Sequence, residues 1–210
     1  MKLPRAITKP ATEPMHLVID STGLKVYGEG EWKVRQHGYS KRRTWKKLHL
    51  IVDAKTHKIA AATLTANDVH DGEMLPPLLA KITQPIAELA ADGAYDHRKV
   101  YDLLAERKIR ALIVPRRNAK IRRHGNAKGA RHLRDENLRR IRKVGRKAWK
   151  VESGYHQRSL AETAMFRYKR IFGDRLRARE EHAQFLEAMI CCSALNRMTD
   201  QGMPFRERVT

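Results

Sequence analysis

The chain has 210 residues, 41% of them apolar, and a formal net charge of +21 with a pI near 10.4. That length supports one packed domain. The charge excludes an ordinary metabolic enzyme and points to a polyanionic partner, nucleic acid ahead of an anionic membrane. No apolar run approaches the roughly 18 residues of a bilayer span. The opening "MKLPRAITKPATEP" lacks the apolar core of a secretory signal. Cys191 and Cys192 are adjacent in an apolar segment, which makes neither a zinc site nor a disulfide framework. A reducing cytoplasm fits this pattern.

Residues 1–15, rich in Pro and basic side chains, read as an extended lead-in. "HLVID" then predicts a buried strand that stops at Asp20, followed by a turn at "STG", with "YGEGEW" as a break. "RTWKKLHLIVDAKTHKIAAATLT" predicts a β-hairpin turning between Asp53 and His57. "NDVHDGEMLPPLLAKI" predicts a loop and a helix with Asp71 as N-cap. "AELAADGAYD" is a second apolar run ending in a carboxylate, Asp92, with Gly93 behind it. "HRKVYDLLAERK" is helical by period, and "RALIVPR" is a strand stopped by Pro115. Strand, hairpin, helix, strand, helix, strand defines a mixed α/β domain.

Residues 116–150 change character. They hold 15 Lys/Arg against two acids, Asp135 and Glu136, so they supply +13 of the total +21. Their apolar content is too thin for a separate core. The stretch reads either as a solvated loop or as an insertion that meets nucleic acid. Beyond it, "EEHAQFLEAMICCSALNRM" is apolar nearly all round and predicts a buried C-terminal helix.

Asp20 and Asp92 share a pattern: an apolar run, the carboxylate, then Gly within three residues. On neighbouring parallel strands both would emerge at the C-terminal edge where open α/β sheets place ligands. A third carboxylate lies in "YHQRSLAETAMFRYKR". At about 100° per residue, Tyr155, Arg158 and Lys169 fall within an arc of about 60° around Glu162. Leu160, Ala164, Met165, Tyr168, Ile171 and Phe172 take the core-facing arc. Two Asp and one Glu are hard oxygen donors suited to Mg²⁺, and paired ions suit phosphodiester chemistry. Asp20, Asp92 and Glu162 are therefore expected close enough to share metal ions. Asp53, Asp68, Asp71 and Asp96 read as turn or cap residues, and Glu152 as a competitor of Glu162 placed in a loop.

"YHQRSLAETAMFRYK" matches Tyr-x-x-Arg-x-x-x-Glu-x-x-x-x-x-x-Lys, "LVIDSTGLK" resembles a first-Asp strand and "LAADGAYD" a second-Asp motif. In this order they resemble the bacterial insertion-sequence DDE transposases, over about residues 16–198. The resemblance implies a ribonuclease-H-like mixed sheet flanked by helices, with a basic insertion before the Glu-bearing helix. Its first Asp would sit on the first strand and its second on the fourth. It implies residues 16–200 as the catalytic domain, with 116–150 inserted and 201–210 as a tail. It implies two Mg²⁺ or Mn²⁺ ions on Asp20, Asp92 and Glu162, which are also the catalytic residues. Tyr155, Arg158 and Lys169 would contact DNA phosphates. Arg122, Arg123, Lys143, Arg146, Lys147 and Trp149 are the candidate DNA contacts of the insertion, with packing as the rival use of Trp149. The implied partners are double-stranded DNA, as transposon ends and target, and a second copy of the chain on that DNA. The implied location is the bacterial cytoplasm, at the nucleoid. Only 19 residues precede Asp20, so the chain reads as the catalytic portion of a longer protein. An inactive DNA-binding remnant and another ribonuclease-H-like nuclease are the alternatives.

Overall fold

The computed structural model describes residues 13–26, 45–122 and 131–202. Most of the lead-in, "YGEGEW", Arg123 and nearly all of the tail lie outside the described residues.

The first apolar run becomes β1 (Met15–Val26), which is longer than the sequence suggests. It does not stop at Asp20: Ser21, Thr22 and Gly23 stay in register against His49, Leu48 and Lys47 of β2 (Trp45–Asp53). Gly23 serves packing here and not a turn, because a Cβ on it would sit 3.2 Å from the Trp45 ring. β2 and β3 (Ile59–Ala66) form the expected hairpin, with Asp53 bonding Thr56 inside the turn. Asp71 is not an N-cap. It opens a 3-10 turn, Asp71–Met74, and its carboxylate takes Lys47, while His70 is the cap residue. The short helix α1 (Leu75–Leu79) follows.

β4 (Ile86–Ala91) ends one residue before Asp92, and α2 (Arg98–Glu106) leads to β5 (Arg110–Ile113). The sheet order is β3-β2-β1-β4-β5, and β6 (Arg175–Leu176) pairs with the far end of β1. β1–β2 and β2–β3 are antiparallel, whereas β1–β4 and β4–β5 are parallel. This mixed sheet carries helices on both faces and has a ribonuclease-H-like fold.

The basic stretch is an exposed loop over residues 116–122 and helical further on. Residues 133–152 form α3 (Leu133–Val144) and α4 (Arg146–Glu152), separated by Gly145 at φ 86°. Leu138 and Trp149 are buried. The Glu-bearing helix α5 (Ser159–Phe172) and the C-terminal helix α6 (Glu181–Asp200) follow.

One face of the sheet packs Leu17, Ile19, Ile51 and Leu89 against α1 and α2, through Leu75, Leu78, Leu79 and Leu104. The other packs Leu24, Leu48, Leu50 and Val52 under α5 and α6, through Met165, Tyr168, Ala188, Cys192 and Leu195. α6 is thus half a core helix. Leu186, Ile190 and Met198 face outward, with Ile190 66% exposed, because a helix lying on one sheet face buries one stripe only. Ile171 of α5 is likewise exposed, contrary to its place in the core-facing arc.

Candidate active site

Strand alternation aims the two aspartates. On β1, Leu17 and Ile19 face α1 and α2, while Val18 joins a small cluster with Ala90, Leu112 and Ala161 on the opposite face. Asp20, two residues beyond Val18, takes the Val18 side. On β4, Leu89 and Ala91 face the first side and Ala90 the second, so Asp92 also points with Ala90. Val18 pairs with Ala90 in the parallel ladder, which sets Asp20 and Asp92 at matching depth on neighbouring strands. Ala161 of α5 is fully buried against this pair of strands. Its single methyl lets the helix approach closely and places the next residue, Glu162, at the same edge.

Glu162 lies in the first turn of α5, where the positive end of the helix dipole favours a carboxylate. Before it, Tyr155–Arg158 is a 3-10 turn, entered through Gly154 at φ 73°. A 3-10 turn has three residues per turn, so Tyr155 and Arg158 eclipse. The four-residue stripe is therefore not one continuous α-helical line; its first two members sit on a tighter turn against the sheet edge.

Arg158 joins two carboxylates. Its Nη1 donates to Asp20 Oδ2 at 3.1 Å, and its Nη2 makes a short bond to Glu162 Oε1. The other Asp20 oxygen accepts from the Ser21 N–H at 2.9 Å. Asp92 Oδ1 accepts from the Ala94 N–H at 2.8 Å, which fixes the turn after β4. Burial holds the Asp20 carboxyl above the ordinary carboxylate range; the Ser21 N–H opposes this, the Asp92 charge adds to it, Arg158 opposes it and Glu162 adds to it. Asp92 and Glu162 both lie within electrostatic reach of Asp20. Among the described residues, however, no three His, Cys, Asp or Glu side chains are gathered to hold an ion. The strand register sets Asp20 and Asp92 on neighbouring strands, and Arg158 bridges Asp20 and Glu162. The donor set still fits a hard divalent cation: all its ligating atoms are carboxylate oxygens, and its negative charge exceeds that of the single guanidinium inside it.

Tyr155 is buried, its ring 6.0 Å from that of Trp149 and 5.3 Å from Lys150 Nζ. Burial pushes its hydroxyl up to about 12, with Arg158 opposing and Asp92, Asp20 and Glu162 adding to the rise. Lys169 is half-buried two turns beyond Glu162 on α5. Trp149, only 4% exposed, packs in place of stacking on a base. Arg146 donates to the Pro115 carbonyl at 2.6 Å and ties α4 to the end of β5, so it is a tether before it is a DNA contact. Arg122, Lys143 and Lys147 are exposed. Glu152 is held in a two-bond pair with Arg140, at 2.9 and 3.0 Å, which leaves Glu162 without its competitor. Asp96 is no surface cap. Its buried carboxylate binds Arg134 at 2.7 and 3.0 Å and the Arg116 N–H at 2.9 Å, so it anchors the basic insertion. The position of Asp96 four residues after Asp92, in a chain with an excess of arginine, was the available signal for this role.

The mixed sheet thus carries Asp20 within β1 and Asp92 just past the adjacent parallel β4, with the Glu162-bearing helix packed against these strands. Residues 11–197 match the family described as "Transposase DDE domain", and the chain belongs to that family. It is also similar in structure to a piggyBac transposase, solved by cryo-EM as a synaptic complex with hairpin DNA. The TM-score is 0.53 at 12% identity, covering 93% of this chain and 50% of the other. That likeness is one of fold, and this chain spans about half the length of the piggyBac chain. No helix among the described residues is long and apolar enough to cross a membrane.

Proposed function

We propose that this chain is the catalytic core of a DNA transposase of the insertion-sequence type, cutting and rejoining DNA strands with divalent metal ions held by Asp20, Asp92 and Glu162. The observation that carries this reading is the parallel pairing of Val18 with Ala90, which sends both aspartates to one edge beneath the Glu162 turn. Two Mg²⁺ or Mn²⁺ ions, when bound, would polarise the scissile phosphate and stabilise the entering and leaving oxygens. Asp20, Asp92 and Glu162 are the ligands this chain offers to them. Arg158, already at that edge, supplies a fork matched to phosphate oxygens. Lys169 supplies a point charge along the same helix, and Tyr155 supports the Arg158 turn from below. The Tyr155–Arg158–Glu162–Lys169 spacing thus works as one phosphate-holding face.

In the first step a water oxygen bonds to phosphorus, the 3′-oxygen of the neighbouring nucleotide leaves and takes up a proton, and water's proton passes to solvent. In the second, the freed 3′-hydroxyl oxygen bonds to a target phosphorus, losing its proton, and the target's own 3′-oxygen leaves and is protonated. Each step exchanges one phosphodiester P–O bond for another or for water, so no outside energy source is needed. The partner is double-stranded DNA, transposon end and target, with two copies of the chain pairing the two ends at the nucleoid.

The test is cleavage and strand transfer in Mg²⁺ or Mn²⁺ on DNA carrying the flanking inverted repeats of the element. Nicked and joined products that require the metal support the reading. Tight DNA binding with no product under any metal would identify a DNA-binding remnant instead. Cleavage that survives loss of Arg158 and Lys169 together would point to a nuclease of another kind.

A further inference from the structure

Beside the carboxylate edge, a cleft of about 340 Å³ is lined by Asp96, Arg116, Asn118, Lys120, Arg122 and Arg134. Its wall is the loop that follows β5, and that loop is pinned at three points. The Arg116 N–H bonds Asp96 at 2.9 Å, the Lys120 carbonyl accepts from Arg134 Nη1 at 3.3 Å, and the Arg122 N–H bonds the buried Asp135 at 3.3 Å. All three pins use backbone atoms of the loop. Lys120 and Arg122 thus hold the loop by backbone atoms alone, whereas the Arg116 side chain also bonds the Gly93 and Ala94 carbonyls.

The acids that pin the loop are themselves balanced. Asp96 carries Arg134 in a two-bond pair, and Asp135 has Arg98 at 3.7 Å. What the cleft presents outward is Arg116, Lys120 and Arg122, all exposed, and none of them is in a salt bridge among the described residues. Arg116 also fixes the position of the cleft. Its Nε donates to the Gly93 carbonyl at 3.0 Å, one residue beyond Asp92, and its Nη2 lies 3.3 Å from His97 Nε2. The cleft is thus joined to the turn that carries the second aspartate.

We infer that this cleft is a second anion subsite, which holds a backbone phosphate of the same DNA strand a short distance from the scissile bond. The inference rests on the reading of the chain as a DNA-acting transposase core. Arg116, Lys120 and Arg122 line one cleft whose acid, Asp96, is already paired with Arg134, and this excess of positive charge favours a phosphodiester. The lining has no aromatic side chain on which a base could stack, so the subsite reads backbone and not sequence. Its role is to fix the direction in which the strand leaves the carboxylate edge. Arg158 and Lys169 grip on the α5 side, and Arg116, Lys120 and Arg122 grip on the β5 side.

The test is the double variant Lys120→Ala/Arg122→Ala, which keeps every backbone pin. Arg116 and Arg134 are left intact because their side chains bond within the fold. The comparison variant is Lys81→Ala/Arg107→Ala, which removes two exposed cations near the ends of α1 and α2; because Lys81 Nζ also donates to the Ala62 carbonyl at 2.9 Å, its melting temperature is measured alongside. The probe is a duplex carrying the inverted repeat, studied by salt-dependent binding and by phosphate-ethylation interference. The Lys120/Arg122 variant is expected to lower the slope of log affinity against log salt by up to about two units. Interference should vanish at one cluster of phosphates on one side of the cleavage position. Lys81→Ala/Arg107→Ala should change neither. Inorganic phosphate at the same ionic strength should not displace the duplex, since one free anion lacks the contacts of the extended strand. An unchanged slope and footprint in a normally melting Lys120/Arg122 variant would overturn the inference. So would an equal loss in the Lys81/Arg107 variant, which would mean bulk charge alone. Failure of the wild-type chain to cleave, with the slope and footprint changes intact, would instead sink the transposase reading and leave the subsite standing.

Discussion

The carboxylate edge and the basic pair α3–α4 sit next to each other and handle charge in opposite ways. At the edge, acids are brought together by the sheet and one guanidinium serves two of them. Burial and like-charge repulsion leave Asp20 unfavourably ionised. On α3–α4 each acid is matched locally: Asp135 with Arg98, Glu136 with Arg139 and Glu152 with Arg140. The remaining Arg142, Lys143, Lys147 and Lys150 stand in water. An exposed cation there costs the fold little and adds to the pull on a distant phosphate backbone. A buried carboxylate at the edge costs stability and is retained for local chemistry.

The sharpest way to separate the two regions is Glu162→Gln. It keeps the side chain's size and removes a ligand charge, so strand cleavage should fall to background while DNA affinity stays equal or rises. Gel assays of cleavage beside a binding titration measure both. Normal cleavage by this variant would remove Glu162 from the site.

Trp149→Ala attacks the joint between the regions, since Trp149 packs beneath Tyr155. Removal of so buried an aromatic should cost about 3–5 kcal/mol by denaturant unfolding. A loss of DNA binding without loss of stability would restore the base-stacking role.

Lys143→Ala/Lys147→Ala probes the outer face alone. It should shallow the salt dependence by about one unit per residue and leave the melting temperature unchanged. The intact chain, led by this face, should bind random duplex nearly as well as a terminal repeat. A preference above about 10³ for the repeat would show groove readout.

Asp20→Asn removes a proposed metal ligand, so cleavage should fall as with Glu162→Gln, while its effect on stability is small and has the most informative sign. The folded chain binds the Asp20 proton more tightly than the unfolded chain does. The group's contribution to stability is therefore fully present below the ordinary Asp pKa and lost as pH rises through the raised value. At neutral pH the ionised group is a liability. The variant should be about 1 kcal/mol more stable there, about 2–4 °C in melting temperature, in buffer with chelator. The gain should shrink as pH falls toward about 4. A destabilised variant at neutral pH would mean that the Arg158 bond outweighs burial.

Much of this arrangement was legible in the sequence because it follows from local rules. Apolar runs ending in Asp20 and Asp92 gave two neighbouring strands, although β1 continues past Asp20 and only β4 ends beside its aspartate, and the hairpin followed from its turn. What escaped depends on partners far along the chain. Gly23 reads as a turn until Trp45 is seen lying over it. Asp96 reads as a cap until Arg134, 38 residues later, is found on it. The outward stripe of α6 carries Ile190, so composition alone suggested full burial. The Arg158–Glu162 pair has the i,i+4 spacing that a helical projection shows, but its second arm, to Asp20, lies 138 residues away and no local projection reveals it.

The pairings of β1 also set the order in which the carboxylate edge is assembled. This strand meets β2 at once, yet it meets β4 only after the hairpin, and β6 through Lys25 and Arg175, near the end of the fold. During synthesis Asp20 emerges first and waits for both other carboxylates. Contacts this far apart in sequence form late, because closing the long loop precedes any reward from it. A nascent chain that stops before α5 therefore carries the basic stretch and both aspartates but not Glu162.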